Sequence, residues 1–178
     1  MNDKKLLNLL YQLHNDVFDD NSKIYDANDG IKQNIYNFID NSNSSIIVVD
    51  CENADVYKLY SVLKGLNPNE LSKISKIILY DDKNTTFAWK LLKQFTDIET
   101  EHINVERVTY AKSLVDIKLT AGVCKEFYEN HVDSFILFSS DSDFWGLISS
   151  LPTANFLVMI ESSKCGENIK ETLRENRI

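Results

Sequence analysis

The pattern of apolar positions changes at Ser45, where short β-branched runs begin to alternate with stretches of helical periodicity. The runs predict strands, mostly apolar on both faces, at residues 45–50, 76–81, 104–110, 134–139 and 154–160. The periodic stretches predict helices at about residues 55–66, 85–95, 114–130, 143–151 and 167–176. Because alternating strands and helices form βαβ units, the sequence predicts a three-layer α/β domain with a mainly parallel central sheet.

The first 44 residues follow a different pattern. Apolar residues recur there at helical spacing in two sets: Leu6, Leu7, Leu10 and Leu13, then Ile31, Ile35, Phe38 and Ile39. This segment carries no chemical motif. We therefore interpret residues 1–44 as an N-terminal helical appendage that covers part of the core, and residues 45–178 as the main domain.

Composition and charge narrow the class of protein. A chain of 178 residues with 43% hydrophobic and 26% charged residues is typical of a single globular domain. Its net charge of -8 argues against binding duplex nucleic acid through a broad cationic surface, while a local basic strip stays open. The sequence shows neither a signal peptide nor about 20 consecutive apolar residues, so we expect a cytoplasmic protein without a membrane partner. Whether it forms a homodimer stays open.

Several common kinds of site are excluded by their missing motifs. The three cysteines, Cys51, Cys124 and Cys165, are widely spaced without a CxxC pair, and the three histidines are scattered. Neither a zinc site nor a disulfide framework is expected from this spacing. The sequence also lacks the glycine-rich motifs of dinucleotide and P-loop sites, and it lacks the G-x-S-x-G elbow of hydrolases with a serine nucleophile.

Aspartates cluster where the predicted strands end. Asp50 ends the first strand, Asp141 and Asp143 follow the fourth, and Asp116 begins the helix after the third. In a parallel sheet these positions share one edge, where ligands usually bind. A single aspartate there is explained as a helix cap, but two carboxylates about 4 Å apart repel by about 4 kcal/mol, so a grouped set needs a cation. Ligation by oxygen atoms alone suits Mg²⁺ or Mn²⁺.

Three sequence blocks at these positions resemble the signature blocks of the NYN family, which belongs to the PIN-like nuclease superfamily. The blocks are IIVVDCEN (46–53), KSLVD (112–116) and FSSDSDF (138–144), within a resemblance that covers residues 45–161. It implies a sheet of order 3-2-1-4-5 and a metal-dependent endoribonuclease that hydrolyses RNA phosphodiesters. One departure is Gly122, which stands where family members often carry another acid, and this weakens the expectation of a second bound ion.

The resemblance also implies roles for individual residues. The catalytic and metal-binding cluster, holding Mg²⁺ or Mn²⁺, would consist of Asp50, Asp116, Asp141 and Asp143. Asp50 and Asp141 are expected to be direct ligands, and the other two to bind directly or through water. The candidates for RNA binding or for orienting the acids are Asn53, Lys112, Lys118, Ser139 and Ser140. Trp89 and Trp145 either stack on bases or belong to the core, and we favour the core.

Three functions stay open from the sequence. The first is a metal-dependent ribonuclease. The second is a catalytically weak or inactive member of the family that binds RNA or a protein partner, which Gly122 and the acidic net charge favour. The third is a flavodoxin-like or phosphatase-type domain, ranked last because Cys51 and Glu52, rather than a D-x-D pair, follow Asp50.

Overall fold

The computed structural model of the protein describes residues 29–82, 87–106, 114–161, 164–176 and 178. Its helices are α1 (Asp29–Asp40), α2 (Val56–Gly65), α3 (Pro68–Leu71), α4 (Leu92–Phe95), α5 (Val115–Tyr128), α6 (Trp145–Ser150) and α7 (Glu167–Glu175). Its strands are β1 (Ser45–Asp50), β2 (Ile74–Asp81), β3 (Glu99–Asn104), β4 (Ser134–Phe138) and β5 (Asn155–Met159). Short 3₁₀ helices cover Phe87–Leu91 and Ser142–Phe144. The helix predicted around Leu6–Leu13 lies outside the described residues.

The five described strands form one sheet in the order β3-β2-β1-β4-β5, and every neighbouring pair is parallel. The central strand β1 pairs with β2 through Asp50 and Tyr80 and with β4 through Val49 and Phe138. All six residues of β1 are buried, as expected for a strand covered on both faces. The predicted α/β class and the strand order implied by the resemblance are confirmed.

Alternate residues of β1 enter two separate cores because successive side chains of a strand point to opposite faces. Ile47 and Val49 pack in a cluster with α1 and α2, whereas Ile46 and Val48 pack in a second cluster with α5 and α6. The sheet is thus the middle of three layers. Helix α1 contributes the fully buried Ile39 to the first core, and the boundary between appendage and domain at residue 44 stays a prediction.

The third strand corrects the sequence analysis. The prediction covered residues 104–110, but β3 is Glu99–Asn104, and residues 107–110 lie outside the described part of the chain. Its sequence, ETEHIN, contains no apolar run because β3 is an edge strand and none of its residues is fully buried. A search for buried apolar runs passes over such a strand. The short helix α3, begun by an Asn67–Glu70 capping box, was not predicted either.

The predicted helix at 85–95 is a 3₁₀ helix followed by one turn of α-helix in the residues that are described. The three cysteines are free, with Cys51 and Cys165 buried and Cys124 partly buried. Within the described ranges, no helix combines the length and the apolar character that crossing a membrane requires.

Candidate acidic site

The four predicted aspartates come from three elements that meet at the carboxyl edge of the sheet. Asp50 ends β1, and the neighbouring strand β4 ends at Phe138, directly before the turn that carries Asp141 and Asp143. Asp116 lies in the first turn of α5, which packs over β1 and β2. The crevice rule for parallel sheets predicts this meeting point.

Asp50 is the most deeply buried of these acids, with none of its surface exposed. Its Oδ2 accepts hydrogen bonds from Asn53 Nδ2 (2.9 Å) and Ser139 Oγ (2.8 Å), and its Oδ1 accepts one from the backbone N–H of Glu52 (3.2 Å). Burial raises the pKa of the Asp50 carboxyl, and these hydrogen bonds only partly offset that rise. A set of neutral donors therefore holds the carboxylate in place without neutralising it.

Ser139 connects Asp50 to the acids that follow β4. Its hydroxyl donates to Asp50 and also accepts a hydrogen bond from the backbone N–H of Asp141 (3.1 Å). Asp141 in turn caps the 3₁₀ helix, since its Oδ1 accepts from the backbone N–H of Asp143 (2.9 Å). One hydroxyl thus fixes the relative positions of two of the predicted metal ligands.

Ser140 and Asn53 fasten the loop after β4 to the loop after β1. The backbone N–H of Ser140 donates to the carbonyl of Asn53 (3.3 Å), and Ser140 Oγ accepts from the backbone N–H of Glu161 (2.8 Å). The side chains of Asn53 and Ser139 hydrogen-bond to Asp50, whereas the side chain of Ser140 accepts from the backbone of Glu161. The roles of all three residues in the reaction stay predictions.

Asp116 shows the electrostatic consequence of the grouping. Its pKa is raised to about 6, first by burial and then by the negative charges of Asp50, Asp141, Glu52 and Asp143. In the part of the chain that the structure describes, none of the four predicted aspartates has an ion-pair partner. The site therefore concentrates negative charge.

Glu52 is a member of this acidic group that the sequence analysis did not select. Its charge helps to raise the pKa of Asp116. The available signal was its place in the D-C-E-N block, two residues after Asp50. Residues two apart in a strand lie on the same face of the sheet, so Glu52 would share the face of Asp50 only if the strand continued past Asp50. The chain turns after Asp50 instead, so tertiary contacts decide the position of Glu52.

The donor set can be compared with the needs of a metal ion. Among the described residues, no group of three or more Asp, Glu, His or Cys side chains is arranged to hold one ion. Mg²⁺ is commonly bound by only one or two carboxylates, with waters and substrate phosphates as the remaining ligands. Asp141 is partly exposed and Asp143 is exposed, so both can be reached from solvent. The residues fit a hydrated divalent ion rather than a closed cage of carboxylates.

The lysines and tryptophans selected from the sequence differ in where they lie. Lys118 is exposed on α5, two residues after Asp116, whereas Lys112 lies outside the described residues. Trp89 is 2% exposed and belongs to the first core, as favoured. Trp145 is partly buried and packs against the second core.

The contact between Gly122 and Tyr80 accounts for the missing acid on α5. A Cβ atom at Gly122 would lie 1.7 Å from the Tyr80 hydroxyl oxygen and 2.8 Å from the ring carbon that carries it. Tyr80 is 2% exposed and pairs in register with Asp50, so its ring cannot easily move away. Only glycine fits at this position beside the tyrosine.

The parallel sheet, its flanking helices and the acids at the ends of β1 and β4 agree with the PIN-like fold. The family model described as NYN domain matches residues 34–174, and the chain therefore belongs to the NYN domain family. NYN domains are generally nucleases that act on RNA, and PIN-like nuclease domains usually use divalent metal ions.

Comparisons with individual proteins add information on the fold. No curated protein matches the chain. Among solved structures, the chain is similar to a protein of unknown function from Vibrio parahaemolyticus RIMD 2210633, with 14% sequence identity and a TM-score of 0.51. The similarity covers 74% of this chain and 90% of that one. At this level of identity, the likeness shows a shared fold.

Proposed function

We propose that this NYN domain is a metal-dependent endoribonuclease that hydrolyses RNA phosphodiesters at its acidic site. The observation that carries the proposal is the grouping of acids at the ends of β1 and β4 around Asp116, whose pKa is raised to about 6 first by burial and then by the charges of four of them. Such a concentration of negative charge disfavours the metal-free folded state, and a bound cation would relieve it. Perturbed carboxylates at the edge of a parallel sheet are typical of functional sites.

We propose Mg²⁺ or Mn²⁺ as the cation, held by Asp141 and Asp50 directly and by Asp116 and Asp143 directly or through water. When bound, such an ion neutralises charge on a phosphate and lowers the pKa of a coordinated water. The side chains prepare the site for it: Ser139 and Asn53 orient Asp50, and the hydrogen bond of Ser139 to the backbone of Asp141 sets the spacing of these acids. An oxygen-only donor set suits either ion.

In this proposal, Asp116 also receives a proton. Burial and the nearby acids raise its pKa only to about 6 in the metal-free protein, and a bound cation would lower it again, so the carboxylate is ionised at neutral pH, as a general base must be. A carboxylate oxygen of Asp116 takes the proton from the attacking water as the new bond to phosphorus forms. The bond between phosphorus and the leaving ribose oxygen breaks in the same step, and that oxygen takes a proton from solvent water. Lys118 and the predicted Lys112 would contact RNA phosphates near the acids.

A second candidate function is that of an inactive NYN domain that binds RNA or a protein partner. Two observations favour it: the described residues contain no group of three metal-binding side chains, and Tyr80 occupies the space that a further acid at Gly122 would need. Under this alternative the fold and the charge cluster persist, while the ion binds too weakly to support hydrolysis.

The deciding experiment compares wild type with Asp141→Asn on a labelled single-stranded RNA, with Mg²⁺, with Mn²⁺ and with a chelator. Asparagine keeps the shape and one acceptor oxygen for the cap of the 3₁₀ helix but removes the charge. Asp97→Asn, at an exposed position in the turn before β3, is the matched control for charge. We expect cleavage by wild type and by the control only with metal, and none by Asp141→Asn. If all three bind RNA and none cleaves it, the inactive alternative holds.

A further inference from the structure

A cavity of about 560 Å³ opens beside the acidic site, between the turn after β4 and the start of α7. Its size falls within the range of small-ligand pockets. The cavity is lined by Asn53, Ser140, Asp141, Ser142, Lys164, Gly166, Glu167, Asn168 and Ile169. Apart from Gly166 and Ile169, every lining side chain can form hydrogen bonds.

The cavity is continuous with the proposed catalytic site. Asn53, Ser140 and Asp141 belong to both, and the Asn53 amide donates directly to the Asp50 carboxylate. A ligand that extends from the acidic site toward α7 would enter this cavity. An RNA strand cut at the acids has a nucleotide on each side of the cut, so one of these two nucleotides could occupy it.

The cavity lining contains two acids, Asp141 and Glu167, and one lysine, Lys164. Asp141 has no ion-pair partner among the described residues, whereas Glu167 is paired with Lys170 at 2.6 Å. Lys164 is the lysine in the lining, and its side chain is 58% exposed. Its ammonium lies 2.9 Å from the carboxylate of Glu161, whose backbone is hydrogen-bonded to Ser140. This contact holds the charge of Lys164 near the acidic site, and an ammonium has three donors, so others remain for a ligand.

We propose that this cavity binds the nucleotide adjacent to the cleaved phosphodiester, with Lys164 contacting its phosphate and Ser142 and Asn168 contacting its ribose or base. The inference rests on the proposed ribonuclease function and assigns part of the RNA path. Ser142 and Asn168 are exposed hydroxyl and amide side chains, which suit the donors and acceptors of a ribonucleotide. Lys164 supplies an ammonium beside the carboxylate of Glu161, and a phosphate bound in the cavity would share that ammonium with it.

The test compares Lys164→Ala with Lys93→Ala, which removes the same charge from an exposed position on α4. Binding of labelled single-stranded RNA is measured by fluorescence anisotropy in the Asp116→Asn background with Mg²⁺, and cleavage is measured in the wild-type background. We expect Lys164→Ala to raise Kd and KM by about fivefold and to lower the salt slope of binding by about 1, with kcat little changed. Lys93→Ala should leave all of these quantities unchanged, and Lys164→Arg should retain most of the affinity.

A second measurement tests the position of the contact. Two series of RNA substrates are used. One is shortened stepwise on the 5′ side of the cleavage position, and the other on its 3′ side. The effect of Lys164→Ala should vanish in one series, when the nucleotide that fills the cavity is removed, and should persist in the other. If wild type binds and cleaves RNA while Lys164→Ala behaves like Lys93→Ala, or if the effect persists in both series, this inference is overturned and the ribonuclease proposal stands. If wild type neither binds nor cleaves RNA, the proposed function itself fails.

Discussion

Helix α5 carries two buried or half-buried acids in opposite surroundings, Asp116 in its first turn and Glu126 near its end. Glu126 lies 2.5 Å from the ammonium of Lys76 and accepts a hydrogen bond from Asn130 at 2.8 Å. Burial tends to raise the pKa of Glu126, but the contacts with Lys76 and Asn130 outweigh it and lower the pKa. Asp116 has other acids as neighbours, and its pKa is raised.

The difference separates Glu126, a carboxylate that stabilises the fold, from Asp116, a carboxylate whose ionised form destabilises the metal-free fold. Glu126 and Lys76 neutralise each other between α5 and β2, so the free energy of unfolding increases when both are charged. Asp116 is ionised next to like charges, which lowers the free energy of unfolding of the metal-free protein. Since both acids occupy one helix, the same measurements on the two positions test this distinction.

The largest difference is expected in catalysis. Asp116→Asn should lower kcat/KM for RNA by about 100-fold or more, because it removes both a charge that favours the cation and a proton acceptor. Glu126→Gln should keep the activity of the folded fraction, since its partners are Lys76 and Asn130. Initial rates on labelled RNA in Mg²⁺, normalised to folded protein, measure both. Equal losses in the two variants would contradict the comparison.

In stability, the order of the two variants should reverse. Glu126→Gln should lower the free energy of unfolding by about 2 kcal/mol, because Lys76, whose side chain is 19% exposed, would keep only Glu101 at 3.7 Å as an ion-pair partner among the described residues. Asp116→Asn should leave the metal-free protein as stable as wild type or more stable. Urea unfolding at neutral pH provides both values. The double variant Lys76→Met and Glu126→Gln serves as the control and should recover part of the loss, since no unpaired ammonium remains.

A divalent ion should stabilise the protein through the Asp116 end of the helix. At an ion concentration of about ten times its Kd, mass action adds about 1.4 kcal/mol, which corresponds to a rise in Tm of about 3 °C. Melting curves with millimolar Mg²⁺ or Mn²⁺ should show this rise in wild type and in Glu126→Gln but not in Asp116→Asn. A rise of the same size in all three proteins would indicate binding elsewhere.

The two acids should act with opposite signs on the pH dependence of stability. The Asp116 pKa is about 6 when folded and about 4 when unfolded, so the folded state binds more protons between these values and the free energy of unfolding falls as pH rises through them. The pKa of Glu126 is lowered, so its stabilisation is present above about pH 4.3 and is lost as pH falls through the folded value. In the metal-free wild type, the contribution of Asp116 should make the free energy of unfolding fall between pH 4 and pH 7. Asp116→Asn should remove this fall. A steeper decrease in that variant would contradict the assigned sign.

The sequence by itself determined the class of fold and the edge of the sheet that carries the acids. The strands β1 and β4 are continuous apolar runs because both of their faces are covered, and such runs are visible without any knowledge of the fold. Asp50 and Asp141 could be chosen because the first ends such a strand and the second comes shortly after one. The edge strand β3 could not be recognised in this way, since it has no apolar run, half of its residues are exposed, and only its pairing with β2 defines it.

Only the tertiary structure decided the chemical state of the site. The hydrogen bond between Ser139 and Asp50 joins residues 89 positions apart, and the pKa of Asp116 depends on acids delivered by two different strand ends. The contact of Tyr80 with Gly122 likewise joins β2 to α5 and leaves no room for another acid. Apolar periodicity records which residues are buried, but distances between side chains on separate elements depend on how those elements pack. A carboxylate's pKa depends on these distances, and this is why the sequence predicted the edge of the sheet at which acids gather but neither the membership of Glu52 nor the strength of their interaction.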